Sequence, residues 1–182
     1  MNFFLLIVGL GFILIDFAVQ GYDILPDVIG YIMLAIGLMP LTNVNSHFRR
    51  ARNVSLLMIV IGVLTFITPV RSFVIEMANI AILSVLLSVA IYVIELVFMY
   101  SILMGIAELA RSNREHSLSV RAMLLWKYYW ILIVVSFFGT ILAFFLGILG
   151  VLLIIGFGIA TIVLAYMILK MVYDSKSILT IK

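Results

Sequence analysis

Two carboxylates carry most of the chemistry this chain could do, because Asp16 and Glu95 each fall inside a long apolar run. An ionisable side chain in hydrocarbon is costly to keep and is by default a functional candidate. Asp16 lies about 14 residues into its run, roughly 21 Å from the inner face at 1.5 Å per residue. Tyr31 lies about 8 Å below the outer face, near the same level. Arg71 ends a later run at that face and can snorkel inward. Asp16, Tyr31 and Arg71 read either as a polar site or as a clamp on the outer end of the first three helices. Glu95 lies roughly 14 Å from the inner end of its run. Ser84, Ser88 and Glu95 share one helical stripe. Ser136, in a later run about 18 Å from the inner side, can meet them. Glu95 therefore reads either as a protonatable site for solute or proton movement, or as a carboxyl bonded to hydroxyls across a helix interface.

Two further clusters stand outside the runs. Asp23-Ile-Leu-Pro26-Asp27 spaces two carboxylates as D-x-x-x-D. Such a pair can hold a divalent cation that bridges phosphates. The second carboxylate pair needed for that chemistry is missing, and helix capping around a tight outer turn accounts for both aspartates. Arg49-Arg50-Ala51-Arg52 is a basic cluster at the other end of the next helix. It reads as a topology anchor, or as a contact for anionic lipid headgroups or an acidic cytosolic partner. The sequence contains no H-E-x-x-H, G-x-S-x-G, P-loop or G-x-G-x-x-G pattern. There is no cysteine, and the two histidines, His47 and His116, fall in polar loops. No metal or cofactor is expected.

These residues must be positioned by elements that live in lipid. Of 182 residues, 66% are hydrophobic and 10% charged, and the mean hydropathy is +1.38. Soluble domains are about 45–50% apolar and about 25% charged. Soluble enzymes, disordered tails and nucleic-acid binders are thereby excluded. The net charge of +3 reads as cationic loops facing anionic headgroups. A crossing helix needs about 20 apolar residues. Six spans are predicted, near 2–20, 26–43, 54–71, 79–105, 122–146 and 149–171. The first reads as a retained span rather than a cleaved signal. The stretch from Met123 to Met171 is too long for one helix, and Gly147-Ile-Leu-Gly150 is its natural turn. Ten of the eleven Lys and Arg residues fall on one side of such a six-helix bundle, and Arg71 alone on the other. That bias predicts an inner-membrane protein with both termini cytoplasmic. Many glycines lie in the spans, where small residues let helices approach closely; Gly156-Phe-Gly158 reads as close packing or as a loosened last helix.

The stretch Asp23-Ile-Leu-Pro-Asp27-Val-Ile-Gly30-Tyr31, followed by Phe48-Arg49-Arg50-Ala51-Arg52, resembles a set of small multi-pass membrane proteins of Gram-positive bacteria. Those share a D-x-L-P-D-x-I-G-Y stretch and a basic F-[KR]-[KR]-A-R loop. The resemblance covers about residues 16–56 and implies membrane residence without implying an activity.

Together these readings point to an all-α polytopic bundle forming one membrane domain. Its expected role is that of a non-enzymatic membrane subunit or partner-binding protein. The alternatives are a small-solute or ion transporter built on Asp16 and Glu95, and an intramembrane enzyme. The bilayer, anionic headgroups and a membrane or cytosolic protein are the expected partners.

Overall fold

The computed structural model describes residues 3–14, 18–19, 22–23, 27–67 and 78–179. In chain order these form α1 (Phe3–Leu14), β1 (Ala18–Val19), β2 (Tyr22–Asp23), α2 (Asp27–Leu38), a 3₁₀ turn (Met39–Asn43) and α3 (Ser46–Ile67). Then come α4 (Ala78–Ser112), α5 (His116–Leu146), α6 (Ile148–Asp174) and the single turn α7 (Lys176–Leu179). Among the described residues the architecture is all-α apart from one short antiparallel pairing, Ala18 with Asp23 and Val19 with Tyr22. The chain divides into two compact units, Met1–Ile102 and Leu103–Lys182, and α4 runs from the first into the second.

The helical, multi-pass character expected from composition is present, but the six-span topology is not. Among the described residues, three helices are long and apolar enough to cross a membrane: Val89–Ser112, His116–Gly139 and Ile148–Asp174. The physical reasons lie in length and charge. α1, and α2 taken together with the 3₁₀ turn that continues it (Val28–Asn43), are apolar but shorter than 18 residues, against the roughly 20 that a crossing helix needs. After α1 the backbone passes into the β1–β2 pairing, where a helix to residue 20 was expected. α3 has 22 residues, but Arg49, Arg50 and Arg52 occupy its first two turns. Three spans among the described residues, an odd number, are inconsistent with the expectation that both termini are cytoplasmic.

In the first unit, α1 and α2 pack antiparallel through glycines. A Cβ on Gly9 would lie 2.8 Å from the Gly30 carbonyl oxygen and 2.8 Å from Leu34 Cγ, and one on Gly37 would lie 2.9 Å from Leu6 Cδ2. Leu6, Leu10, Leu34, Leu38, Leu41 and Phe48 are buried there. Gly62 of α3 faces the Val28 side chain of α2. The close approach of backbones lets dispersion contacts hold helices together where lipid offers no hydrophobic drive.

In the second unit, α5 and α6 form a hairpin. The expected turn is present and tighter than anticipated: Gly147 alone breaks the helices, at φ 55° and ψ −122°. That backbone conformation favours glycine because it has no Cβ to clash. Small residues again set the spacing. Gly139 meets the Phe157 ring, and Gly150 lies against the Ala143 backbone.

The polar segment expected over Glu108 to Arg121 is mostly helical. α4 runs to Ser112 and α5 starts at His116. The Arg114 N–H donates to the Arg111 carbonyl at 3.2 Å, and the Glu115 N–H to the Ala110 carbonyl at 2.8 Å. This is a Schellman closure, which places Arg114 in the left-handed region at φ 64°. A side chain there costs about 1 kcal/mol. Arg114→Gly is therefore expected to raise stability by about 1 kcal/mol, read from a denaturant titration in detergent.

Candidate functional site

The sequence-predicted residues scatter rather than converge. Asp16, Arg71 and Pro26 lie outside the described residues. Asp23 belongs to β2 and Asp27 opens α2. Ser88 lies on α4. Glu95, half-buried, also lies on α4 within the first unit, whereas half-buried Ser136 lies on α5 within the second.

Tyr31 is the best-defined of the set. It is 1% exposed on α2, and its ring meets Phe98 of α4 edge-on at 5.5 Å and 74°. Such edge-to-face pairs contribute about 0.5–1.5 kcal/mol beyond burial. Its position fixes α2 against α4.

The basic cluster forms the clearest surface feature. Asn45 precedes α3, and its side-chain oxygen accepts the His47 N–H at 2.8 Å. This is an N-cap, which satisfies a donor the helix cannot use internally. The His47 ring packs edge-on to Tyr100 of α4 at 5.8 Å. Thr42 Oγ1 donates to the Met39 carbonyl at 2.8 Å, and Arg49 Nε donates to the Thr42 carbonyl at 3.4 Å. The first turns of α3 are thus tied to the 3₁₀ turn before it.

From there an open depression of about 390 Å³ runs along α3, lined by Ser46, Arg49, Arg50, Asn53, Val54 and Leu57. Those positions step by three and four, so they share one helical face. Arg52 lies off that face, and its guanidinium donates to the Asn53 side chain at 3.4 Å. Sequence reasoning singled out the three arginines but missed Ser46, Asn53, Val54 and Leu57. Helical stepping from Arg49 and Arg50 would have found all four and excluded Arg52.

A second feature was not foreseen. Arg121 at the start of α5 donates to Asp174 at the end of α6 at 3.1 Å, with side chains 50% and 35% exposed. It closes the open end of the hairpin, opposite Gly147. Exposed pairs contribute about 0–1 kcal/mol. They lie 53 positions apart in sequence, so no local pattern marks the pairing.

Three of the buried serines bond alike. Ser55 donates to the Ala51 carbonyl at 3.0 Å, Ser101 to Val97 at 2.6 Å and Ser175 to Met171 at 2.7 Å. Each bonds four residues back on its own helix, a local alternative to bonding across helices.

No protein-family model, no curated protein and no solved structure matches the chain.

Proposed function

We propose that this multi-pass membrane protein is a non-enzymatic membrane subunit that acts by binding a protein partner within the bilayer. The observation that supports this reading most is how three interior serines are bonded. A solute pathway through a bundle needs polar groups turned toward a shared space. Ser55, Ser101 and Ser175 instead satisfy themselves on their own helices. In the first unit, which holds Ser55 and Ser101, Leu34, Leu38, Phe48 and Phe98 are buried. Binding chemistry is left to outward faces, such as the α4 stripe of Val89, Tyr92, Val93 and Val97.

The test is photo-crosslinking in native membranes. A photoreactive residue at Tyr92, which is 58% exposed, or at Val93 is expected to give one discrete protein adduct; the same residue at fully buried Leu103 is expected to give none. Glu95→Gln should leave that adduct in place. The transporter reading makes the opposite prediction. If wild-type proteoliposomes show solute-dependent proton uptake that Glu95→Gln abolishes, while no protein adduct forms from Tyr92 or Val93, the subunit reading is wrong.

A further inference from the structure

The α3 depression changes character along its length, and the change points to an amphiphile. At one end it offers the Arg49 and Arg50 guanidiniums, the Asn53 carboxamide and the Ser46 hydroxyl. All four can donate hydrogen bonds to an oxyanion. The lining contains no carboxylate, and no Asp or Glu occurs from residue 28 to residue 75. At the other end are half-buried Val54 and exposed Leu57, and one turn further Val60 is exposed. Polar donors and exposed apolar side chains therefore follow each other on a single helical face.

We infer that this depression binds the phosphate of an anionic phospholipid, with an acyl chain lying along Val54, Leu57 and Val60. Arginine suits the head because its planar fork matches phosphate oxygens in pairs. The Arg49 Nε is already engaged by the Thr42 carbonyl. That bond restrains the side chain before a ligand arrives, which lowers the ordering cost of binding. The volume of about 390 Å³ admits a phosphate and its glycerol. The apolar continuation distinguishes a lipid from a free phosphate, which would have no use for Leu57 or Val60. The inference needs only the membrane location of the chain, so it stands or falls separately from the protein partner.

The experiment uses the full chain, purified in detergent, with binding read by native mass spectrometry and by thermal shift. Long-chain phosphatidylglycerol is expected to bind and stabilise the wild type, and phosphatidylcholine to do so at least about tenfold more weakly. Arg49→Gln/Arg50→Gln is expected to lose about 30-fold in phosphatidylglycerol affinity, roughly fivefold for each guanidinium. Arg121→Gln, which removes the same charge elsewhere, should change it by less than about twofold. The single variant Arg50→Gln, expected to lose about fivefold, carries the test if the double variant does not fold. Millimolar inorganic phosphate should fail to displace the lipid. The inference is overturned if phosphatidylcholine binds equally well, if the arginine variants keep wild-type affinity, or if inorganic phosphate alone competes the lipid away.

Discussion

Gly150→Ala is expected to lower stability by about 3 kcal/mol or more, at the upper end of what overpacking costs, although it adds a single methyl group. The Cβ it adds would land on the Ala143 carbonyl oxygen, with the Ala143 carbonyl carbon 2.8 Å and its Cα 2.9 Å away. These atoms belong to the backbone of α5, so no side chain can turn aside. The facing helix must move as a body, and the α5–α6 contact next to Gly147 opens. The damage should appear as an early loss of α5–α6 packing in thermal melts in detergent. It should also appear as new proteolytic cleavage near Gly147. Gly156→Ala provides the contrast on the same helix. Nothing lies within 4 Å of the Cβ it would add, so helix propensity should make it neutral to stabilising by about 0.5–1 kcal/mol. A melt in which both variants behave alike would refute the assignment of Gly150 to the contact.

Gly9→Leu is expected to have an effect of similar size on the first unit, about 3 kcal/mol or more. Its Cβ would meet the Gly30 carbonyl oxygen and Leu34 Cγ, both at 2.8 Å. From the other side, a Cβ on Gly30 would meet Gly9 O and Phe12 Cβ at 3.0 Å and Ile13 Cγ1 at 3.1 Å. The two glycines thus define one crossing point of α1 and α2. Separating the helices there strips packing from Leu6, Leu10 and Leu34. Gly11→Ala, two residues along α1, adds a Cβ with nothing within 4 Å and should leave the melting temperature within about 2 °C. Equal losses from Gly9→Leu and Gly11→Ala would show that α1 tolerates no change at all, rather than that Gly9 sits at a crossing.

The contrast between these glycines shows what the sequence could and could not reveal. Composition sufficed for the helical, multi-pass membrane class, because so apolar a chain has few ways to satisfy its backbone. The α5–α6 turn was legible because a long apolar stretch must fold back, and glycines mark where. The first three helices were not legible in the same way. Apolar continuity reads alike whether the backbone is helical or extended, so the pattern predicts Ala18–Val19 within a span, whereas it pairs with Tyr22–Asp23. The glycines of the spans also look alike in one dimension. Gly9, Gly30, Gly139 and Gly150 sit at contacts, whereas Gly156 and Gly158 face open space on an unbroken α6. At Gly156-Phe-Gly158 the two glycines meet nothing within the chain, Phe157 packs on Gly139, and α6 runs through all three as unbroken helix. At the basic cluster, residue type marked the place, and only the face of α3 sorted Arg49 and Arg50 from Arg52.

The plain chemistry of the α5–α6 hairpin has a consequence for biosynthesis. From Tyr128 to Leu169 the chain carries no charged residue, and its far end is one glycine between Leu146 and Ile148, the latter 81% exposed. Nothing at that end must be stripped of a charged hydration shell to reach the opposite leaflet. The two helices can enter the bilayer together from the side that holds Arg121 and Asp174, already paired and with their turn leading. Insertion of this half of the molecule then needs no translocated charge, and the membrane potential, which acts only on charge, has no grip on it.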